Sequence, residues 1–312
     1  MKIGLIDVDG GKKFPNIALM KISAYHRSRG DLVQWYEPTD LERYDKVYMS
    51  KVFSFSPDYP YVPNAHEIVR GGTGYAIELQ EGREKFCKEK DVELPYEIEH
   101  TYPDYSLYPE LTEDTAYGFL TRGCPRGCNF CHVAAKEGKA VRRVANLDEF
   151  WNGQKNIVLC DPNILACKDW KVLLQQLIDT GANIDLNQGV DVRLMTPEKA
   201  EMLGRIKMTE IHFAWDRYQD RDIVLRGLET YMAHSKKKPP KHNRVVYVLC
   251  NFDTTMDQDL DRIYTLRDMG YWAYVMLYDK EHASREYRKM ARWCNNRFIF
   301  GACKRFEDYW VK

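Results

Sequence analysis

The sequence has no net charge, no long apolar run and no biased tract, and each lack removes a class of protein. Lys plus Arg and Asp plus Glu both number 46, so no overall field draws the chain onto nucleic acid or a membrane surface. No stretch approaches the ~20 apolar residues that cross a bilayer. The short apolar run at residues 3–6 is broken by Asp7 and does not read as a signal peptide. Nineteen glycines and 13 prolines among 312 residues exclude collagen-like and low-complexity classes, and 44% hydrophobic residues exclude disorder. No internal repeat of fixed period is present. These exclusions leave a cytoplasmic globular chain of about two domains at ~150 residues each. Its nine cysteines, odd in number and unevenly spaced, read as metal or redox chemistry rather than a disulfide framework.

Hydrophobic patterning places an α/β domain first. Residues 2–9 suit a buried parallel strand, and Asn16 can cap a helix whose apolar positions Ile17, Leu19, Met20 and Ala24 end near Gly30. Strand-like runs at 32–36 and 46–53 follow, and 67–69 lead into Gly71-Gly72-Thr73-Gly74. Residues 85–115, with three prolines and many tyrosines, lack periodicity and read as a linker. A regular alternation then begins. Strands are expected at 116–121, 157–160, 184–186, 211–215, 245–250 and 274–277, separated by helical stripes. Asn146 with Glu149 and Thr255 with Gln258 make capping boxes, and Thr196-Pro197 is a cap followed by an N1 proline. The spacing implies βα units on a parallel sheet. Six units are too few for a closed barrel of eight, so the pattern predicts a partial (β/α)6 barrel over 116–285, with its active face on the loops that follow the strands. A Rossmann-like domain at 1–84 precedes the linker, and a tail at 286–312 packs on the barrel.

The chemistry concentrates at 121–132, where Cys124, Cys128 and Cys131 stand at C-x3-C-x2-C spacing in a Gly/Pro-rich loop after a strand. Three thiolates from one loop can each ligate an iron of a [4Fe–4S] cube and leave the fourth iron without a protein ligand. Such an iron can accept the amino and carboxylate groups of a small molecule. Phe130 can shield the cluster from water. A zinc-stabilised, non-catalytic binding module is the competing reading, with His132 or a distant cysteine as fourth ligand.

The triad in its strand-loop setting resembles the radical S-adenosylmethionine (SAM) superfamily, over roughly residues 116–280. The resemblance implies a [4Fe–4S] cluster and SAM as cofactors, reductive cleavage of SAM to methionine and a 5′-deoxyadenosyl radical, attack on an unidentified substrate, and an electron donor such as flavodoxin. Asp161 and Asn163 stand where family members carry Gly-Gly-Glu near the SAM amino group. Gln188, Asp191 and Arg193 correspond to the third-strand segment, and Asp216 to a ribose-binding position at the fourth strand end. The 1–75 unit resembles the cobalamin-binding domain of the cobalamin-dependent branch. Its loop Asp7-Val8-Asp9-Gly10-Gly11-Lys12 keeps the first Asp of D-x-H-x-x-G and lacks the His and the last Gly. The resemblance thus offers cobalamin as a further cofactor, and a cobalamin-dependent methyltransferase as the alternative enzyme. Gly138, Arg142 and Arg143 are similar to positions in methylthiotransferases.

Three further features have plainer readings. Gly71-Gly72-Thr73-Gly74 can approach a phosphate through its amides or simply turn the chain. Cys294 and Cys303 would need further ligands to hold a second cluster. The basic run 235–244 precedes a strand and so belongs on the face away from the expected active loops.

Overall fold

A computed structural model describes residues 1–11, 13–80 and 83–309. Lys12, the last residue of the Asp7–Lys12 segment compared with D-x-H-x-x-G, and residues 310–312 of the expected tail lie outside the described residues. The chain divides into two compact units, residues 1–157 and 158–312.

The first unit opens with β1 (Lys2–Asp7), whose apolar run is buried on both faces of a sheet. Helix α1 (Ile17–Ser28) follows, and the Asn16 side chain accepts from the Leu19 amide as expected of a cap. With β2 (Leu32–Trp35), β3 (Tyr44–Ser50) and β4 (Ala65–Gly71), β1 forms a four-stranded parallel sheet in the order β2-β1-β3-β4. Ile3 and Leu5 meet Leu19, Met20 and Ile22 of α1 on one face. Ile6, Tyr44, Val47 and Met49 form the core of the other. Alternation along the strands therefore sorts two cores, as a period of two requires.

A hairpin of β5 (Ile77–Gln80) and β6 (Arg83–Phe86) comes next. Residues 85–115 are more than a linker. They carry α2 (Tyr96–Glu99) and α3 (Pro109–Thr112), and they bury Ile98, Leu107 and Tyr108 in the core beside α1. The tyrosines explain why periodicity misses this. Single side chains reach inward from irregular backbone, and the Tyr105 hydroxyl donates to the Phe150 carbonyl at 2.6 Å.

The strand expected at 116–121 is two pieces, β7 (Thr115–Gly118) and β8 (Thr121–Arg122), broken where the Phe119 ring lies 3.6 Å under the Arg122 guanidinium. Then come α4 (Val133–Glu137) and β9 (Arg142–Arg143), which pairs antiparallel with β8. The Asn146–Glu149 capping box forms, but it opens only a single 3-10 turn, because Gly153 follows closely and Glu149 also holds His100 at 2.6 Å.

Strand β10 (Asn156–Leu159) straddles the division. The second unit then alternates α5 (Trp170–Thr180), β11 (Asn183–Leu186), α6 (Pro197–Leu203), β12 (Ile211–Ala214), α7 (Arg221–His234), β13 (Arg244–Cys250), α8 (Met256–Asp268) and β14 (Trp272–Leu277). Thr196 and Thr255 cap α6 and α8 as their sequences predict. The tail forms α9 (Arg285–Asn295) and α10 (Arg297–Ala302), and Trp293 packs edge-on to Phe300 at 4.8 Å.

The class is mixed α/β with parallel sheets, but the strands do not form one continuous ladder. β12, β13 and β14 make one parallel sheet, while β10 and β11 neighbour each other in another. A single parallel bridge, Val190 to Phe213, links β12 to the residues after β11. The cause is local: after the turn at Gly189, Asp191 caps a 3-10 turn over 192–194, so the chain leaves the ladder after one residue. Phe213, Tyr231 and Tyr271 are fully buried and meet edge to face. Each such contact adds about 1 kcal/mol beyond area burial.

Candidate functional site

The cysteine loop lies in the first unit, and its base is fixed by one carboxylate. Glu137 at the end of α4 accepts from Arg122 Nη1 at 2.8 Å and from the Gly123 amide at 2.9 Å. The Cys124 amide donates to the Gly138 carbonyl at 3.1 Å. Gly123 has φ +95°, and a Cβ there would stand 2.3 Å from the Ala140 carbonyl oxygen, so only glycine lets the loop leave β8 this way. Within the loop, the Cys131 amide donates to the Cys128 carbonyl at 3.0 Å, making a tight turn between two thiols. Cys124, Cys128 and Phe130 are half-buried and Cys131 is exposed.

His132 has another partner than these sulfurs: its Nε2 stands 3.4 Å from Glu84. Among the described residues no group of three or more His, Cys, Asp or Glu is gathered to hold a metal ion. A cube is held differently, with one thiol on each of three irons rather than all donors on one ion. Three accessible thiols on one glycine-rich loop are the donor set such a cube takes.

The cobalamin loop fits its cofactor poorly. No imidazole stands in it, and the Asp7 carboxylate accepts from the Tyr108 hydroxyl at 2.7 Å. The ring of Tyr108 packs against Gly11, where a Cβ would meet it at 2.6 Å. Asp9 accepts from the Val52 amide and the Ser56 hydroxyl, both at 2.5 Å. The carboxylates of Asp7 and Asp9 are thus engaged by their own chain, and the loop offers no lower ligand to a corrinoid.

In the second unit the strand ends carry a bonded polar set. Asp161 and Asn163, after β10, are buried. Asn163 Nδ2 donates to Asp191 Oδ2 at 3.1 Å, and Arg193 Nε donates to Asp191 Oδ1 at 2.7 Å. Arg193 Nη1 donates to Asp220 at 3.0 Å. Burial alone would lower the pKa of Arg193, and its bonds to Asp191 and Asp220 more than offset this and raise it. Asp216 lies at the end of β12, where burial pushes its carboxyl up to about 6 against the pull of Arg193 and Arg262. An acid in that range exchanges a proton close to neutral pH. Gln188 sits exposed in the turn after β11, outside this bonded set.

Several residues escaped sequence reasoning. Asp220 completes the clamp on Arg193. Arg262 of α8 is fully buried with Asp259, and donates to the carbonyls of Trp215, Asp216 and Leu249 at 2.6, 3.0 and 2.8 Å. It ties the end of β12 to β13. Asp185 and His212 lie on neighbouring strands. Burial raises the Asp185 carboxyl, and the His212 ring stacks on Tyr247 at 5.2 Å. A charge at i and its opposite at i+3 on α8 was the available signal for Arg262, but on an amphipathic helix it reads as a surface pair.

No family model matches the chain, and no curated protein matches it. Among solved structures, it is similar to the cobalamin-dependent S-adenosylmethionine radical enzyme OxsB, whose structure was solved with aqua-cobalamin and S-adenosylmethionine bound. Identity is 12% and the TM-score 0.40, over 88% of this chain and 49% of that one. The chain spans about half the length of that protein, and a likeness at this level assigns no residue and no activity. No helix among the described residues is long and apolar enough to cross a membrane.

Proposed function

We propose that the chain is a radical SAM enzyme in which Cys124, Cys128 and Cys131 hold a [4Fe–4S] cluster. The observation that carries this reading is the C-x3-C-x2-C spacing on a single loop after a strand, which provides three iron ligands and leaves a fourth iron for a small molecule. Such a cluster, when bound, supplies one electron at a time to a sulfonium. The chain's own residues position and shield. Glu137 pins the start of the loop to the end of α4, the Cys128–Cys131 turn sets the spacing of two thiols, and Phe130 would limit access of water.

In the second unit, Arg193 is held charged and oriented between two carboxylates, which suits it to a carboxylate or hydroxyl of a ligand. Asn163 and Asp191 offer donors and acceptors of the kind that read an amino group or a ribose. Asp216 holds or releases a proton. The fold of this reading is a partial (β/α)6 barrel with these groups at its strand ends. An electron donor of the flavodoxin type and an unidentified substrate complete it.

Anaerobic purification tests the proposal. About four irons and four sulfides per chain are expected, with release of methionine and 5′-deoxyadenosine from SAM on reduction by dithionite. Stoichiometric zinc without sulfide, or a Cys128→Ala protein that keeps full iron and still cleaves SAM, refutes it.

A further inference from the structure

The first unit contains a cleft of about 680 Å³ whose lining includes none of the three thiols. That volume is typical of a small-molecule site. It lies on the α1 side of the sheet, over β3 and β4. Leu19 and Ile22 of α1 and Leu94 and Ile98 from the 85–115 segment give it apolar walls. Its charged lining is unbalanced. Of its carboxylates, Asp91 and Glu93 are both paired with Lys88, Glu99 with Lys21, and Glu137 with Arg122. Lys46 is paired with Glu67. Lys136 is different: it is half-buried, and its amine donates at 2.5 Å to a neutral group, the hydroxyl of Thr73.

Thr73 belongs to the Gly71-Gly72-Thr73-Gly74 turn at the end of β4, whose two leading glycines also line the cleft. Arg142 and Arg143 add positive charge at the rim, where both are exposed. Burial lowers the pKa of Lys136, with Arg122 and Lys88 adding to the fall, and Asp91 and Glu137 offset this only in part.

We propose that this cleft binds an organic phosphate, with the phosphate on Lys136 beside Thr73 and the apolar body against Leu19, Ile22, Leu94 and Ile98. Two features favour a phosphate over a neutral ligand: an amine whose neighbouring carboxylates, Asp91 and Glu137, are each already paired with another cation, and the arginines at the rim, which match a multiply charged group. The apolar walls favour an attached body over inorganic phosphate alone. The site borders the base of the cysteine loop through Arg122 and Glu137, and its test reads lysine labelling rather than the cluster.

The test uses the anaerobically purified full chain and pyridoxal 5′-phosphate, which carries both a phosphate and an amine-reactive aldehyde, followed by sodium cyanoborohydride and peptide mapping. An amine that has lost its charge more readily is the better nucleophile, so Lys136 is expected to be labelled ahead of the exposed lysines. AMP is expected to protect it at about tenfold lower concentration than inorganic phosphate. Lys136→Met should weaken AMP binding, measured by calorimetry, about tenfold or more, and Lys136→Arg should restore most of it, as loss and return of one charge-assisted hydrogen bond implies. Labelling confined to exposed lysines overturns the proposal. So does protection that is absent, or equal for AMP and inorganic phosphate. The labelling and protection arms need no variant, so a Lys136→Met chain that fails to fold leaves the proposal open to refutation.

Discussion

Replacing Asp216 by Asn keeps the shape of the side chain and removes its charge, which isolates the cost of a half-buried carboxylate. The folded-state value is pushed up to about 6 by burial, against Arg193 and Arg262, with Asp191 and Asp220 adding to the rise. The unfolded value is about 3.9. For an acid whose pKa is raised on folding, the group favours the folded state fully below about pH 4, and that contribution is lost as the pH rises through about 6. Two pKa units correspond to about 2–3 kcal/mol. Urea unfolding followed by circular dichroism from pH 4 to pH 7.5 should therefore show Asp216→Asn and the parent equally stable at the acid end. The variant should gain about 2 kcal/mol by the neutral end. Because every other titrating group is common to both proteins, the difference between the curves reads Asp216 alone. Parallel curves, or a variant less stable at pH 7.5, would show that the carboxylate is well solvated or fully matched by the two arginines.

Other outcomes follow from the same geometry. Arg262→Met leaves Asp259 buried without its partner and three carbonyls without a donor, so thermal unfolding should show a loss of about 3–5 kcal/mol. The double variant Asp259→Leu/Arg262→Met should recover part of it. Gly123→Ala forces a Cβ onto the Ala140 carbonyl in a positive-φ backbone, and should reduce iron content after anaerobic reconstitution, while circular dichroism stays near that of the parent. Burial raises the thiol pKa of Cys250 and Cys294. Iodoacetamide at pH 8 should therefore spare both until denaturant is added, and it should modify exposed Cys131 in the folded chain. Early labelling of Cys294 would contradict its burial.

Much of the framework was legible because it rests on local rules. The caps at Asn16, Thr196 and Thr255 lie where small polar residues precede apolar periodicity, and parallel strands alternate with helices from β10 onward. The cysteine spacing is visible to the eye. What escaped depends on tertiary placement. Tyr105 and Tyr108 pack from irregular backbone, so no period announces them. The 116–121 strand breaks at a contact between Phe119 and Arg122, which strand propensity does not encode. Asp191 and Arg193 both stand in the third-strand segment that the sequence singles out, but Asp220, 27 residues on from Arg193, enters only through folding. The Asn146 capping box shows that a correct start signal does not set a helix's length.

The Tyr108 contact also defines how much chain the N-terminal sheet needs. Its hydroxyl closes on Asp7 across 101 positions, and its ring fills the space over Gly11. A fragment cut at residue 84, where the parallel strands and the hairpin are nearly complete, would leave Asp7 with only Asp9 and Asn16 as donors and an open seam along α1. A fragment that runs through α3 keeps Ile98, Leu107 and Tyr108 in that core, and is therefore expected to be the more stable of the two.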